Sequence, residues 1–286
     1  MNTVEDFTPN TMAQYPFPDR APWNIFPLGI GEDGSSEVIL NVSTTAHTLL
    51  AGVSGAGKSS TLRSILMHAL QSPEWRVALI DPKRVELSTY RNHPHVFDIA
   101  KELHEVFLVI EKIEQEMQSR YNVMQDEGVN FFKNLNNPPP AILLVVDELY
   151  AILALEKNKN DEGKKHDEYH AKIALLIDSI ARLGRATGIH MVLVTQRPDA
   201  NLLPSEIRSN IDARIAMGRM DSIPSNLILD TDDATRILDL KGCGILRAGN
   251  DFTGFQAYYI PEKDLEPLLE MAMALATGIV DLSVFQ

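Results

Sequence analysis

One cysteine, Cys243, is all the thiol chemistry that 286 residues offer. A disulfide framework is therefore excluded, and a reducing compartment fits. Long apolar runs are missing as well. A membrane-spanning helix needs roughly 18–20 apolar residues in succession. The longest apolar stretch, over 141–155, is interrupted by Asp147 and Glu148. The opening MNTVEDFTPN has neither the basic start nor the apolar segment of a secretory signal. The chain is accordingly expected to be cytoplasmic, with no transmembrane segment of its own. Positive charge is in deficit: 26 Lys+Arg against 39 Asp+Glu leave a net charge of −13. Taken whole, that field repels nucleic acid and anionic membranes. Salt screens distant charge within about 8–10 Å, so a local basic lining is not excluded. No internal repeat and no long low-complexity tract is present.

Apolar residues are not scarce, at 44% of the chain. That suffices for one large α/β domain. Residues 1–22, with Pro9, Pro16, Pro18 and Pro22, read as an extended arm, and 23–286 as the domain. Short strands are expected over 25–30 and 38–42, with a turn at Glu32-Asp33-Gly34 between them. Strand-like runs follow at 47–51, 76–81, 142–146 and 189–194. Between them Leu62, Ile65, Leu66, Ala69 and Leu70, and then Leu103 through Met124, keep helical spacing, as do Ile173 through Leu183. Such alternation argues a mostly parallel sheet with helices on both faces, preceded by a short N-terminal β segment. Residues 156–170, EKNKNDEGKKHDEYH, read as a charged loop. Shorter strands are expected at 214–217, 244–246 and 255–260, then a last helix with Pro261 at its first position.

Chemistry concentrates in three places. Gly52-Val53-Ser54-Gly55-Ala56-Gly57-Lys58-Ser59 is a complete G-x-x-x-x-G-K-[ST] loop, with Ser60 behind it. An apolar run precedes it and an amphipathic stripe follows, the strand–loop–helix context that this motif requires. Glycines let backbone N–H groups turn toward phosphate oxygens, and the helix N-terminus adds positive potential. Lys58 can reach the outer phosphates of ATP, and the Ser59 hydroxyl suits Mg²⁺. The second place is Asp147-Glu148, at the tip of the strand over 142–146. Asp147 can complete a Mg²⁺ shell while Glu148 deprotonates water. Acidic residues also favour helix N-termini for dipole reasons alone. The third is Gln196, after Val192-Leu193-Val194-Thr195. Its amide can sense a γ-phosphate, or it is a turn residue. Arg185, at a helix end, either answers the helix dipole or serves as an arginine finger for a neighbouring subunit.

Asp81-Pro82-Lys83-Arg84-Val85-Glu86-Leu87-Ser88-Thr89-Tyr90 with Pro94-His95 resembles the D-P-K-x-x-E-L signature of FtsK/SpoIIIE-type DNA translocases. Leu28-Gly29-Ile30-Gly31, the stretch from Glu116 to Met124, the stretch from Arg185 to Pro198 and Asn210-Ile211-Asp212-Ala213-Arg214-Ile215-Ala216 resemble that family too. The resemblance runs over residues 23–270. It implies a RecA-like P-loop motor, normally a homohexameric ring around double-stranded DNA, with ATP and Mg²⁺ between subunits. In related conjugative coupling proteins an arginine eleven residues before the sensor glutamine acts in trans, the position that Arg185 holds. Arg182 and Arg120 stand next in line. By the same resemblance Gly128, Asn130, Phe131, Phe132 and Lys133, and Lys157, Lys159, Lys164 and Lys165, would face the pore. A bare motor of this kind implies recruitment by membrane or mobile-element partner proteins. Gly242-Cys243-Gly244-Ile245-Leu246 and Phe255-Gln256-Ala257-Tyr258-Tyr259 also resemble the ATPases of type VII secretion engines. Their usual D-F-K-G-G is here Asp81-Pro82-Lys83-Arg84-Val85, which favours DNA over protein as cargo. A nucleotide switch or kinase has no acceptor-substrate motif to support it.

Overall fold

The alternation of apolar positions decides how the sheet is built. In the computed structural model, residues 15–16, 22–84, 86–153, 161–196 and 205–277 are described. Among the described residues ten strands form one sheet. They are β1 (Ile25–Gly31), β2 (Glu37–Asn41), β3 (His47–Gly52), β4 (Trp75–Ile80), β5 (Val96–Ala100), β6 (Ala141–Val146), β7 (Ile189–Thr195), β8 (Ala213–Met217), β9 (Cys243–Ala248) and β10 (Asp251–Ala257). Their order is β2-β1-β10-β9-β8-β3-β7-β6-β4-β5. From β8 to β5 neighbouring strands run parallel. From β2 to β8 they run antiparallel.

Seven helices cover the sheet among the described residues: α1 (Lys58–Leu70), α2 (Leu103–Glu127), α3 (Leu149–Leu153), α4 (Asp161–Thr187), α5 (Ser205–Ser209), α6 (Ser222–Leu229) and α7 (Leu265–Thr277). In β6, Ala141, Leu143 and Val145 join the core under α1, while Ile142, Leu144 and Val146 join the core under α2 and α4. Strands buried on both faces therefore read as continuous apolar runs, and the expected mostly parallel sheet with helices on both faces is what forms. No helix among the described residues is long and apolar enough to cross a membrane.

The N-terminal β segment is one half of a larger antiparallel wing, because β1 pairs with β10. The short helices α3, α5 and α6 were not expected, and elements differ in four further places. The last strand lies at Asp251–Ala257 rather than 255–260, since Gly249 at φ 63° turns the chain early. β5, just beyond the Asp81–His95 signature, was not expected as a strand. Pro261 stands ahead of a 3₁₀ turn, Glu262–Asp264, and α7 begins only at Leu265. Residues 161–170, expected as loop, are the first turns of α4. There Glu168 and Lys172 pair across one helical turn at 2.7 Å, and His170 is buried beside the Ile152 carbonyl. Of the extended arm, Tyr15 is described: it is buried, its ring edge-on to Tyr258 at 6.1 Å. Pro16 is described too and is exposed, and the rest of 1–21 lies outside the described residues.

Candidate nucleotide site

Parallel register brings the three sequence motifs to one end of the sheet. Leu50 and Ala51 pair with Val194 and Thr195, so the loop after β3 lies beside Gln196. Ile80 pairs with Val146, so Asp81 and Asp147 leave adjacent strands together. Strand C-termini in open α/β sheets are where ligands bind. A cleft of about 530 Å³ opens there, lined by Ser54, Gly55, Gly57, Lys58, Ser59, Ser60, Asp147 and Gln196. Gly52 and Ala56 are buried behind it, and Val53 is exposed beside it.

The glycine loop is held tightly at one point. Gly57 has φ 114°, and a Cβ there would lie 2.8 Å from the Gly242 Cα. Gly242 in turn donates its N–H to the Ala56 carbonyl at 2.9 Å. The Lys58 ammonium donates to the carbonyls of Gly52 and Val53 at 2.7 and 2.8 Å. Burial lowers its pKa, opposed by the charges of Glu148 and Asp147. The Ser59 hydroxyl donates to Glu86 at 2.8 Å, and that of Ser60 to the Tyr258 carbonyl at 3.0 Å. The Ser60 side chain therefore anchors α1 to the segment after β10.

Asp147 is pushed up to about 6, chiefly by burial and then by the charge of Glu86. Glu148 lies under the cleft rather than in its lining. It has φ 66°, a left-handed conformation that costs a non-glycine residue about 1–3 kcal/mol and gathers at functional sites. One carboxylate oxygen meets Lys83 at 2.8 Å; the other is buried with no protein partner among the described residues.

Lys83 and Glu86 are site residues that went unassigned in the sequence, although both stand in the Asp81–Tyr90 signature. Buried Asp81 explains their placement. Its carboxylate accepts the backbone N–H groups of Arg84 at 2.8 Å and Leu87 at 3.0 Å, folding the chain back over the cleft. Arg63, Lys241, Gln256, Tyr259 and Glu262 line the far side of the cleft. Arg63 follows the loop within α1, whereas the other four come from far later in the chain.

Arg185 lies elsewhere. It is exposed in the last turn of α4 and donates to the Ser43 carbonyl at 3.1 Å, at the opposite end of the sheet from its own glycine loop. Arg120 is buried and donates to the carbonyls of Thr187 and Pro140 at 2.9 Å, so it ties α2 to the starts of β6 and β7. Arg182 pairs with Asp178 at 2.9 Å. The expected pore segment after α2 is largely committed to packing. Phe132 is fully buried, and Lys133 lies 4.9 Å over the Trp23 ring while bonding Glu74 at 3.1 Å. Phe131 packs on Phe132, and only Gly128 and Asn130 of that segment are exposed. Lys164 and Lys165 fall within α4, and Lys157 and Lys159 lie outside the described residues.

Residues 13–137 match the model of the FtsK/SpoIIIE family. The "DNA translocase FtsK" of Tropheryma whipplei is 30% identical over 283 residues, covering 91% of this chain and 36% of that protein. The "DNA translocase SpoIIIE" of Bacillus subtilis is 27% identical over 264 residues, covering 85% and 32%. The chain thus spans about a third of the length of these curated relatives. Among solved structures, the pCW3 conjugation coupling protein TcpA, in a monomer form with ATPγS, is 25% identical with a TM-score of 0.79, covering 90% of this chain and 74% of that one. The cytoplasmic domain of the Thermomonospora curvata type VII secretion ATPase EccC is 21% identical with a TM-score of 0.68, covering 95% and 33%, a likeness of fold. The fold is the RecA-like P-loop α/β fold.

Proposed function

We propose, from the premise that this chain belongs to the FtsK/SpoIIIE family, that it hydrolyses ATP to drive double-stranded DNA, acting inside the cell as a homohexameric ring. One observation carries the hydrolytic part: Lys58, Ser59, Asp147 and Gln196 meet in one cleft at the ends of parallel strands. The DNA part rests on the named activities of the relatives.

Backbone N–H groups of the glycine loop bind the phosphates, and the Lys58 ammonium neutralises their outer charge. The donor set fits Mg²⁺: a serine hydroxyl and a carboxylate are hard oxygens, and Asp147 is crowded by other carboxylates. No group of three ligand side chains exists among the described residues, in keeping with an ion held by one or two protein oxygens and phosphate. Ser59 and Asp147 would hold it, and its charge would offset that of the phosphates. Glu148 takes the proton of the attacking water. Gln196 donates to the γ-phosphate and orients that water. Arg185, remote from its own cleft, serves the cleft of the next subunit in the ring.

ATPase activity measured with and without duplex DNA, over a salt series and beside a solution mass, tests this reading. Turnover should rise with DNA, and the stimulation should fall steeply with salt as counterions compete for the phosphates. Turnover indifferent to DNA at every salt concentration refutes DNA as cargo and turns attention to a protein-secretion ATPase.

A further inference from the structure

We propose that Lys83 is the positioning residue for the Glu148 carboxylate, carried by the loop that Asp81 folds over the cleft. The proposal rests on the hydrolytic reading above. Lys83 Nζ and Glu148 Oε2 are 2.8 Å apart, with the lysine side chain 43% exposed and the glutamate 9%. The second oxygen of Glu148 is buried and has no protein partner among the described residues. A carboxylate tied through one oxygen has the direction of the other fixed, which a base needs to meet its proton. The backbone of Glu148 is itself constrained at φ 66°, with its carbonyl accepting the Ala151 N–H at 2.9 Å.

The described residues of the loop that carries Lys83 are tied down at several points. Asp81 accepts two of its N–H groups, Arg84 takes φ 60°, and the Arg84 guanidinium pairs with Glu102. Glu86 on the same loop accepts the Ser59 hydroxyl at 2.8 Å. One loop therefore touches both the first turn of α1 and the tip of β6. Lys83 also lines the cleft, so direct contact with phosphate is the rival role.

The test uses the full chain with Lys83→Met, Lys83→Arg, Glu148→Gln and the Lys83→Met/Glu148→Gln pair. Urea midpoints without nucleotide read the bond itself. Lys83→Met strands a buried carboxylate and lowers the midpoint, and Glu148→Gln added to it restores part of the loss, a non-additive cycle. Lys83→Met lowers kcat by about 100-fold, as for other losses of alignment. Binding of a non-hydrolysable ATP analogue stays within about twofold of wild type, which separates alignment from binding. Lys83→Arg recovers most of kcat, because it restores a cation to the same oxygen. Analogue binding weakened by about tenfold with kcat unchanged makes Lys83 a phosphate ligand and overturns the proposal. Additive midpoints with wild-type kcat overturn it as well. If the unaltered chain turns over no ATP, hydrolysis falls and this proposal with it; if the unaltered chain is active and Lys83→Met equally so, only the role of Lys83 falls.

Discussion

Glu148→Gln separates binding from turnover. The amide keeps the shape of the side chain but cannot take a proton, and its part is played in the transition state. ATP should bind as to the unaltered chain while kcat falls by about 10²–10⁴-fold. Titration with a fluorescent ATP analogue beside a phosphate-release assay reads both, and undiminished turnover would sink the assignment. Lys58→Ala should do the reverse. It removes the cation that the loop carbonyls hold in place, and nucleotide affinity itself drops, as the same titration would show. Sequence disclosed these residues because each motif is local: glycines, lysine and serine within one loop, two carboxylates at one strand tip. It did not disclose Lys83 and Glu86 as site residues. Their place depends on two hydrogen bonds to Asp81 and on β4 lying beside β6. Neither relation leaves a local pattern.

At the scale of elements, Arg120 is a clamp between α2 and the starts of two strands. Arg120→Ala leaves the buried carbonyl of Thr187 without its donor, a loss of about 1–3 kcal/mol for such a group. A lower urea midpoint with nucleotide affinity unchanged is the expected result. Arg120→Lys should recover little, because one ammonium cannot span the two carbonyls that a guanidinium fork reaches. A midpoint equal to that of the unaltered chain would refute the clamp. The central strands were legible because burial on both faces makes them plain apolar runs. The start of α4 was not, since its composition is that of a solvated loop. It packs against α2 and α3, and Glu168 and Lys172 pair across one of its turns. β10 was misplaced by the apolar Tyr258-Tyr259-Ile260 that follows it. Tyr258 there belongs to the packing over α1, not to the strand.

For the whole molecule, the finger role proposed for Arg185 predicts a composite site. Arg185→Ala and Glu148→Gln chains should each bind ATP and hydrolyse it poorly, a finger being worth about 10³–10⁵ in rate. Mixed rings then contain interfaces with an intact Glu148 facing an intact Arg185, and partial activity returns. Labelled chains that exchange yet restore no activity at any ratio would make Arg185 a helix-end residue only. Stability should depend on pH through buried histidines. Burial holds His47 near 3 and His68 and His190 near 4. Unfolded, each titrates near its ordinary value of about 6.5. Their contribution is therefore whole above about pH 6.5 and is lost as pH falls toward the folded values. The loss approaches about 1.4 kcal/mol per pH unit for each histidine. Urea midpoints should hold from pH 7.5 to about 6.5 and decline from there to pH 5, and a flat profile would contradict this. The motor-like fold was legible across the chain; the size of the antiparallel wing was not, because it joins strands more than 200 residues apart, Gly29 with Ala257.

That pairing sets an order on the making of the protein. β3, which carries the glycine loop, has no neighbour from the first half of the chain: Thr48 pairs with Val192 on one side and Ala213 on the other. Gly242, which packs behind Gly57, comes later still. A ribosome that has released the loop has released none of the strands that shape it. The nascent chain must carry the apolar run of β3 uncovered, a burden on chaperones, until some two hundred residues have emerged. A chain cut short before Gly242 lacks the residue that packs against Gly57, and it is expected to bind no ATP.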